Sequence, residues 1–255
     1  MLINSSNNIN IFIYTWENYK TKTMKKQDLI FILAIIIFFL PFFVFDEVYN
    51  FYNDFNNKYS LIMAFIKFAI LATLGESIGL RIKTGVYNQK GFGLLPRAIA
   101  WGFFGMWIAI AMGVFRHGIP AFLDKFSIFN GIAFAMYGDF TALKLVGAFF
   151  ISLMMNTTFA PVFMTLHKIT DTHIMNNGGK VSAFLKPIPI KKIITNLNWE
   201  VQWGFVFKKT IPLFWIPAHT ITFILPQNYQ VLTAALLGVV LGVLLSIAAI
   251  QGNKK

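Results

Sequence analysis

Long apolar stretches separated by shorter polar segments dominate the pattern of this chain of 255 residues. A helix needs about 17–25 mostly apolar residues to cross a bilayer. Six stretches approach or meet that length, at residues 29–45, 61–80, 95–115, 145–166, 205–225 and 231–250. The pattern predicts an all-α polytopic membrane protein, a bundle of six transmembrane helices, with five as the alternative count. We expect one helical transmembrane domain over residues 24–255.

The last two stretches predict a hairpin with unequal arms. The second arm has no charge, whereas the first contains Pro212, Pro217 and His219 between Lys208-Lys209 and Pro226. Proline removes a backbone hydrogen bond from a helix, and a helix bundle tolerates this because neighbouring groups satisfy the freed carbonyl. We therefore expect kinks at Pro212 and Pro217, and a similar one at Pro161 in the fourth span.

Composition supports the membrane interpretation. Charged residues make up 13% of the chain, about half the share in soluble domains, and there is no cysteine to form a disulfide or a thiolate metal site. With the N-terminus inside, 17 of the 22 Lys and Arg residues fall on the inner side, as the positive-inside rule requires. The net charge of +12 then faces anionic inner-leaflet lipids, and we expect no nucleic-acid partner.

Two polar segments carry further expectations. Residues 1–23 are rich in Asn, Ser and Thr, and we expect a disordered extension, with Met24 as the alternative true start. Residues 190–201 place Ile and other apolar side chains at helical spacing, opposite Lys191 and Lys192. This predicts a basic amphipathic helix that lies on the inner membrane surface or packs on its own protein.

Small residues recur at the spacing of a helix face in two spans. Close backbone approach must drive helix association in lipid, because lipid provides no hydrophobic drive. The predicted packing positions are Gly105, Gly113, Ala234, Gly238, Gly242 and Ser246. The partner of the Gly238 face is another helix of this chain or, in the alternative, a second copy in a homo-oligomer.

Three polar side chains interrupt the spans, and each needs a reason because a charge at a membrane helix centre costs about 2.5–3.5 kcal/mol. Glu76, Asn156 and His219 are expected at inner, middle and outer depths. Each has two interpretations: a member of a polar path for a solute, ion or proton, or a structural group hydrogen-bonded to a neighbouring helix. The polar path also includes Thr157 and Thr222.

The motifs that suggest chemistry lack their structural context. Residues 75–79 match G-x-S-x-G, which needs a strand-to-helix elbow but lies in an apolar helix. His167, Asp171 and His173 could bind a metal, but we expect them in a solvated loop without the fourth ligand of a zinc site. The sequence therefore predicts no enzyme, no metal and no cofactor.

Three segments share their residue order with a known family. Residues 156–161 read Asn-Thr-Thr-Phe-Ala-Pro, an amide followed five residues later by proline. Residues 198–230 run from Asn-Trp through Trp215 and Pro217 to Pro-Gln-Asn-Tyr-Gln, and residues 74–76 read Leu-Gly-Glu. Over about residues 65–250 the chain thus resembles the Mpv17/PMP22 family of integral membrane proteins.

The chain departs from that family at Met155 and Gln230, where the family has an acidic residue and an arginine. The resemblance implies a small helical membrane protein and a channel of low selectivity. In eukaryotes the family lies in mitochondrial and peroxisomal membranes. The Asn- and Lys-rich sequence lacks an Arg-rich transit peptide, so we expect a bacterial plasma-membrane protein with both termini in the cytoplasm.

These expectations give two hypotheses of function from different classes. In the first, the protein is a channel or transporter for small solutes or ions. In the alternative, it is a non-conducting structural or adaptor protein that packs through its small-residue faces.

Overall fold

The computed structural model describes the backbone of residues 25–252 and the side chains of residues 25–244. No strand occurs within residues 25–252, which confirms the all-α prediction. The α-helices in chain order are α1 Lys26–Phe39, α2 Pro41–Val44, α3 Asp46–Lys58, α4 Ser60–Thr84, α5 Leu94–Leu123, α6 Ile132–Ala135, α7 Ala142–Asn176, α8 Ile190–Thr195, α9 Trp199–Val201, α10 Ile216–Ile224 and α11 Gln227–Gly252. A π-helix, Gln202–Trp215, joins α9 to α10 without a break. The predicted disorder of residues 1–23 lies outside the described residues.

Among the residues that the structure describes, four helices are long and apolar enough to cross a membrane: α4, α5, α7 and α11. Helix α4 has 25 residues, α5 has 30 and α7 has 35, so at about 1.5 Å per residue each exceeds the roughly 30 Å of hydrocarbon in a bilayer. They correspond to the predicted second, third, fourth and sixth spans. By length and composition, these four helices are candidate membrane spans.

The predicted first span is broken at Leu40, and the predicted fifth span is a continuous helix that changes type. The first ends at Phe39 and resumes at Pro41 as α2, because proline cannot donate the backbone bond that would continue α1. The fifth changes from the π-helix to α10 at Ile216. The pieces of these two spans, taken one by one, are too short to cross a membrane, so the candidate spans among the described residues are four where the sequence predicts six.

The chain divides into two compact units, one up to Phe55 and one from Asn56 onward. In the first unit, α1 and α2 leave most of their large apolar side chains exposed. Phe43 and Ile37 are 85% and 69% exposed, as expected for surfaces that contact lipid. The second unit contains the other long helices and the site described below.

The second unit is held together by close packing of α4 on α5 and α11, and of α7 on α5 and α10. A Cβ atom added to Gly75 would lie 2.7 Å from the Cα of Val239, and one added to Gly242 would lie 3.2 Å from the carbonyl oxygen of Gly75. The Gly242 position therefore faces α4 of the same chain. The side chain of Ser246 lies outside the described residues.

The other predicted packing positions differ in how closely they approach neighbouring helices. A Cβ atom on Gly105 would collide with the ring of Phe68, whereas one on Gly113 or Gly238 would meet nothing within 4 Å. Ala234 is buried. Gly105 thus allows close contact with α4 and Ala234 is buried, whereas the Cβ positions of Gly113 and Gly238 face open space. The carbonyl oxygen of Gly238 nevertheless lies 3.4 Å from the Cβ position of Gly75.

Several helix boundaries differ from the prediction. Helix α5 continues to Leu123 and α7 to Asn176, so both extend beyond the predicted spans at 95–115 and 145–166. They can do so because the charged residues near these helix ends either have polar partners or are exposed to solvent. Helix α7 also runs through Pro161, and Pro212 and Pro217 lie within the π-helix and in the first turn of α10. The predicted amphipathic helix at 190–201 is not one helix: α8 stops at Thr195, and only the three residues of α9 follow the turn.

Candidate functional site

A cavity of about 420 Å³ lies between α4, α5, α7, the π-helix, α10 and α11. Glu76, Asn156 and His219 all line this cavity, so the fold brings together three residues predicted from separate spans. The other two residues of the predicted path do not line it. Thr157 is exposed and donates to the carbonyl of Leu153 in its own helix. Thr222 is buried and donates to the carbonyl of Ala218.

One end of the cavity, here called the mouth, is lined by the exposed side chains of Lys83 and Lys168. The mouth lies near the C-terminal ends of α4 and α7. From there the lining continues along α4 to Phe68, along α7 to Met155 and along α11 to Ala234. Among the described residues nothing nearer the opposite ends of these three helices lines the cavity, which is therefore one-sided.

The loop before α5 places an arginine at the mouth. Gly93 has φ of +77°, a left-handed conformation that suits glycine, and a Cβ atom there would lie 2.9 Å from the Cα of Gly179. This close approach sets the start of α5 beside the turn after α7. Arg97, in the first turn of α5, then donates to the carbonyl of Phe92 at 2.7 Å and lies over its ring at 4.6 Å.

Arg97 is the centre of a buried ionic group, here called the Arg97 cluster, that joins three helices. Its Nη1 atom lies 2.5 Å from Oε2 of Glu76 on α4 and 2.8 Å from Oδ1 of Asp171 on α7. Trp101, one turn further along α5, donates its indole N–H to Oε1 of Glu76 at 2.9 Å. One guanidinium therefore balances two carboxyl groups, which supports the structural interpretation of Glu76.

His167 completes the cluster from within an aromatic enclosure. Its ring lies 4.3 Å from that of Trp101 and 5.6 Å from that of Phe104, measured between centroids. Its Nε2 atom lies 3.3 Å from Oε1 of Glu76 and 3.7 Å from Oδ1 of Asp171. When protonated, it supplies a second positive charge to the two carboxyl groups.

The expectation that His167, Asp171 and His173 lie in a solvated loop is wrong, because all three belong to α7. The side chains of His167 and Asp171 are 20% and 15% exposed, and His173 is buried with Nε2 2.9 Å from the carbonyl of Ala183. Potential ligand atoms of Glu76, His167 and Asp171 lie within 4.8 Å of one another. Arg97 already contacts both carboxyl groups, however, and its charge repels a second cation.

Asn156 and His219 lie at the same depth, not at successive depths as predicted. Nδ1 of His219 is 3.0 Å from the amide nitrogen of Asn156 and 3.3 Å from its oxygen. Asn156 also donates to the carbonyl of Ser152 at 2.8 Å, and the Ser152 hydroxyl donates to the carbonyl of Ile216 at 2.7 Å. This buried network ties α7 to α10 at the deep end of the cavity.

Replacing Asn156 by leucine is expected to reduce the free energy of unfolding by about 1–3 kcal/mol, because it leaves a buried imidazole nitrogen without its partner. Thr157→Val is the matched control on the next residue, with an expected change within about 0.5 kcal/mol. Unfolding of the purified variants in mixed micelles, followed by circular dichroism, measures both. Equal stabilities of the two variants would contradict the proposed role of the network.

Sequence reasoning named Glu76, His167 and Asp171 but did not bring them together with Arg97 and Trp101. It placed Arg97 among the inner loop charges and Asp171 in a loop, since hydropathy marks where charges sit but not which ones pair. One signal was present: Glu76 and Arg97 are opposite charges at the adjoining ends of consecutive spans, and such ends meet in a helical hairpin. No family model, no curated protein and no solved structure matches the chain.

Proposed function

We propose that the chain is a channel or transporter for small solutes, and that its cavity is the solute-binding vestibule. The observation that carries this proposal is that Glu76, Asn156 and His219 line one and the same cavity, of about 420 Å³. Its volume falls in the range of roughly 300–1,000 Å³ that small-molecule sites occupy. Polar groups that are costly in a membrane converge on a space large enough for a solute.

In this proposal the chain crosses the membrane six times. Helices α1 and α2 together form the first span, and the unbroken helical segment from α9 through the π-helix to α10 forms the fifth. The lysine-rich mouth faces the cytoplasm, together with both termini, in a bacterial plasma membrane. Anionic lipids of the inner leaflet then lie beside the exposed lysines. Membership of the Mpv17/PMP22 family belongs to the same proposal.

The geometry favours a gated path over an open pore. The cavity stops at the Asn156–His219 pair, and beyond it Arg116 donates to Gln230 at 3.2 Å. The π-helix supports the same view, because irregular helices at membrane depth are tolerated where they line a cavity and often mark transport sites. Solute release on the outer side requires the contacts between α7 and α10 to open.

Gly238→Phe is expected to abolish solute flux. Gly238 lines the cavity and a Cβ atom there meets nothing within 4 Å, so the ring can fill the vestibule without displacing a helix. Gly113→Phe is the control, because its Cβ position is also open but does not line the cavity. Purified protein in liposomes, loaded with a small neutral and a small charged solute, provides the measurement.

Three results can follow from this flux experiment. Flux in the wild type and in Gly113→Phe but not in Gly238→Phe supports the vestibule. Equal flux in all three proteins contradicts it, since solute then takes another route. Absence of flux in the wild type favours the adaptor hypothesis, although the Gly242 surface invoked there is already covered by Gly75 of the same chain.

A further inference from the structure

Two buried hydrogen-bond donors that line the cavity, on Gln202 and Trp215, have no partner among the described residues. Among the described side chains, four buried polar atoms lack a hydrogen-bond partner, and those of His167, Gln202 and Trp215 line the cavity. His167 lies beside Glu76, as described above. The remaining two are Nε2 of Gln202 and Nε1 of Trp215, at opposite ends of the π-helix. A buried donor left unpaired costs about 1–3 kcal/mol, so each favours a ligand that offers an acceptor.

The two carboxyl groups of the cavity are already paired. Glu76 receives hydrogen bonds from Arg97 and Trp101, and Asp171 forms an ion pair with Arg97. By contrast, the ammonium groups of Lys83 and Lys168 at the mouth have no partner among the described residues. A cationic ligand would therefore find both carboxyl groups already paired and would be repelled by the two lysine ammonium groups.

The walls between the mouth and the deep end are apolar. They are formed by aromatic and aliphatic side chains that include Phe68, Phe159, Phe163, Met155 and Leu241. Such a lining selects for apolar bodies, while a few convergent polar groups set the orientation of the ligand. The cavity therefore combines an anion-attracting mouth with a hydrophobic interior.

We propose that the cavity binds small organic acids that have an apolar body. The carboxylate lies at the mouth between Lys83 and Lys168 and accepts a hydrogen bond from Gln202. The apolar body lies among the aromatic walls, and Trp215 offers a second donor to a polar substituent at the deep end. This inference rests on the proposed function in that it concerns the same vestibule, but it is a statement about binding and does not require transport.

The first test compares probes that share an apolar body and differ in charge. Benzoate, benzyl alcohol and benzylammonium are titrated into the protein in phosphatidylcholine nanodiscs at pH 7, with empty nanodiscs subtracted and with hexanoate as an aliphatic acid. Saturable binding of benzoate or hexanoate, at least tenfold tighter than that of the neutral and cationic probes, is the expected result. Benzyl alcohol or benzylammonium binding as tightly as benzoate, or no binding of either acid, overturns the inference.

The second test changes the groups assigned to the carboxylate. Lys83→Gln with Lys168→Gln is expected to weaken benzoate binding roughly threefold to thirtyfold, the effect of two partly solvated ion pairs. Lys191→Gln with Lys192→Gln is the matched control, because these exposed lysines lie away from the cavity, and it should leave the affinity unchanged. Equal affinities in the two double variants contradict the assignment of the mouth.

Gln202→Leu separates binding from folding. The amide nitrogen of Gln202 has no partner in the protein, so the substitution should not lower stability, yet it should weaken benzoate binding roughly twofold to tenfold by removing one donor. Lower stability with unchanged affinity would show a structural role and contradict the inference. Acid binding without flux would support the inference on binding and refute the proposed transport. Flux of neutral solutes without acid binding would support transport and refute the inference on binding.

Discussion

Replacing Arg97 by methionine is expected to reduce the free energy of unfolding by about 3–5 kcal/mol, the cost of leaving a buried charge without its partner. Two carboxyl groups, Glu76 and Asp171, would lose the guanidinium that lies 2.5 Å and 2.8 Å from them. Methionine keeps much of the length of the arginine side chain, so the loss of stability is caused more by the missing charge than by the missing volume. Unfolding in mixed micelles with increasing sodium dodecyl sulfate measures it.

The stability lost in Arg97→Met should be restored by neutralising the two carboxyl groups as well. Adding Glu76→Gln and Asp171→Asn to Arg97→Met removes the uncompensated charges, and we expect most of the lost stability to return, because a fully neutral group of similar volume avoids the desolvation cost. Lys168→Met is the control for loss of an exposed charge on α7, with an expected change within about 0.5 kcal/mol. If Arg97→Met alone changes stability by less than about 1 kcal/mol, the cluster does not hold the three helices together.

Replacing Gly75 by leucine is expected to lower stability by about 3 kcal/mol, because overpacking a close helix contact forces the backbones apart. The atom that a Cβ would meet is the Cα of Val239 at 2.7 Å, and backbone cannot rotate away as a side chain can. Close approach of small residues is also the main source of helix association in lipid. The measurement is again unfolding in mixed micelles.

Gly113→Leu is the matched control for this prediction. It makes the same change within a long apolar helix, but a Cβ atom there meets nothing within 4 Å. Leucine has the higher helix propensity, by roughly 0.5–1 kcal/mol, so this variant should be as stable as the wild type or slightly more stable. A loss of stability in Gly113→Leu that equals that in Gly75→Leu would show that contact with α11 is not the cause.

The long helices could be predicted from the sequence, but their ends could not. Continuous apolar runs indicate α4, α5, α7 and α11 directly. The apolar runs end at the first charged residues. Helix α7 nevertheless continues past His167 and Asp171, because these side chains pair with Glu76 on α4 and Arg97 on α5. A hydropathy window measures composition and contains no information on such pairing.

The interrupted helices were harder for a different reason. The predicted first span runs through Pro41, but the structure has a break there. Pro212 indicates a kink, but the sequence has no pattern that distinguishes a π-helix from an α-helix with a proline. The π-helix matters for the site because it carries both Gln202 and Trp215, the donors on which the ligand proposal rests.

Three of the five residues predicted for the polar path do line the cavity, and two do not. Glu76, Asn156 and His219 attract attention because polar groups are rare in membrane helices, and all three line the cavity. Thr157 was assigned to the same path as the neighbour of Asn156, and Thr222 because it shares a helix face with His219. Their hydroxyls bond to their own helices. Which polar residue faces a cavity depends on helix rotation, which a single sequence leaves undetermined within a bundle.

The order of the cluster residues along the chain has a consequence for biogenesis. Glu76 and Arg97 lie on successive helices, so a hairpin of α4 and α5 can enter the membrane with both charges already paired. Asp171 is synthesised much later and meets an arginine that is already held by Glu76. We expect α7 to join as a late addition, so that a chain interrupted before Asp171 would still contain a neutralised, insertable hairpin.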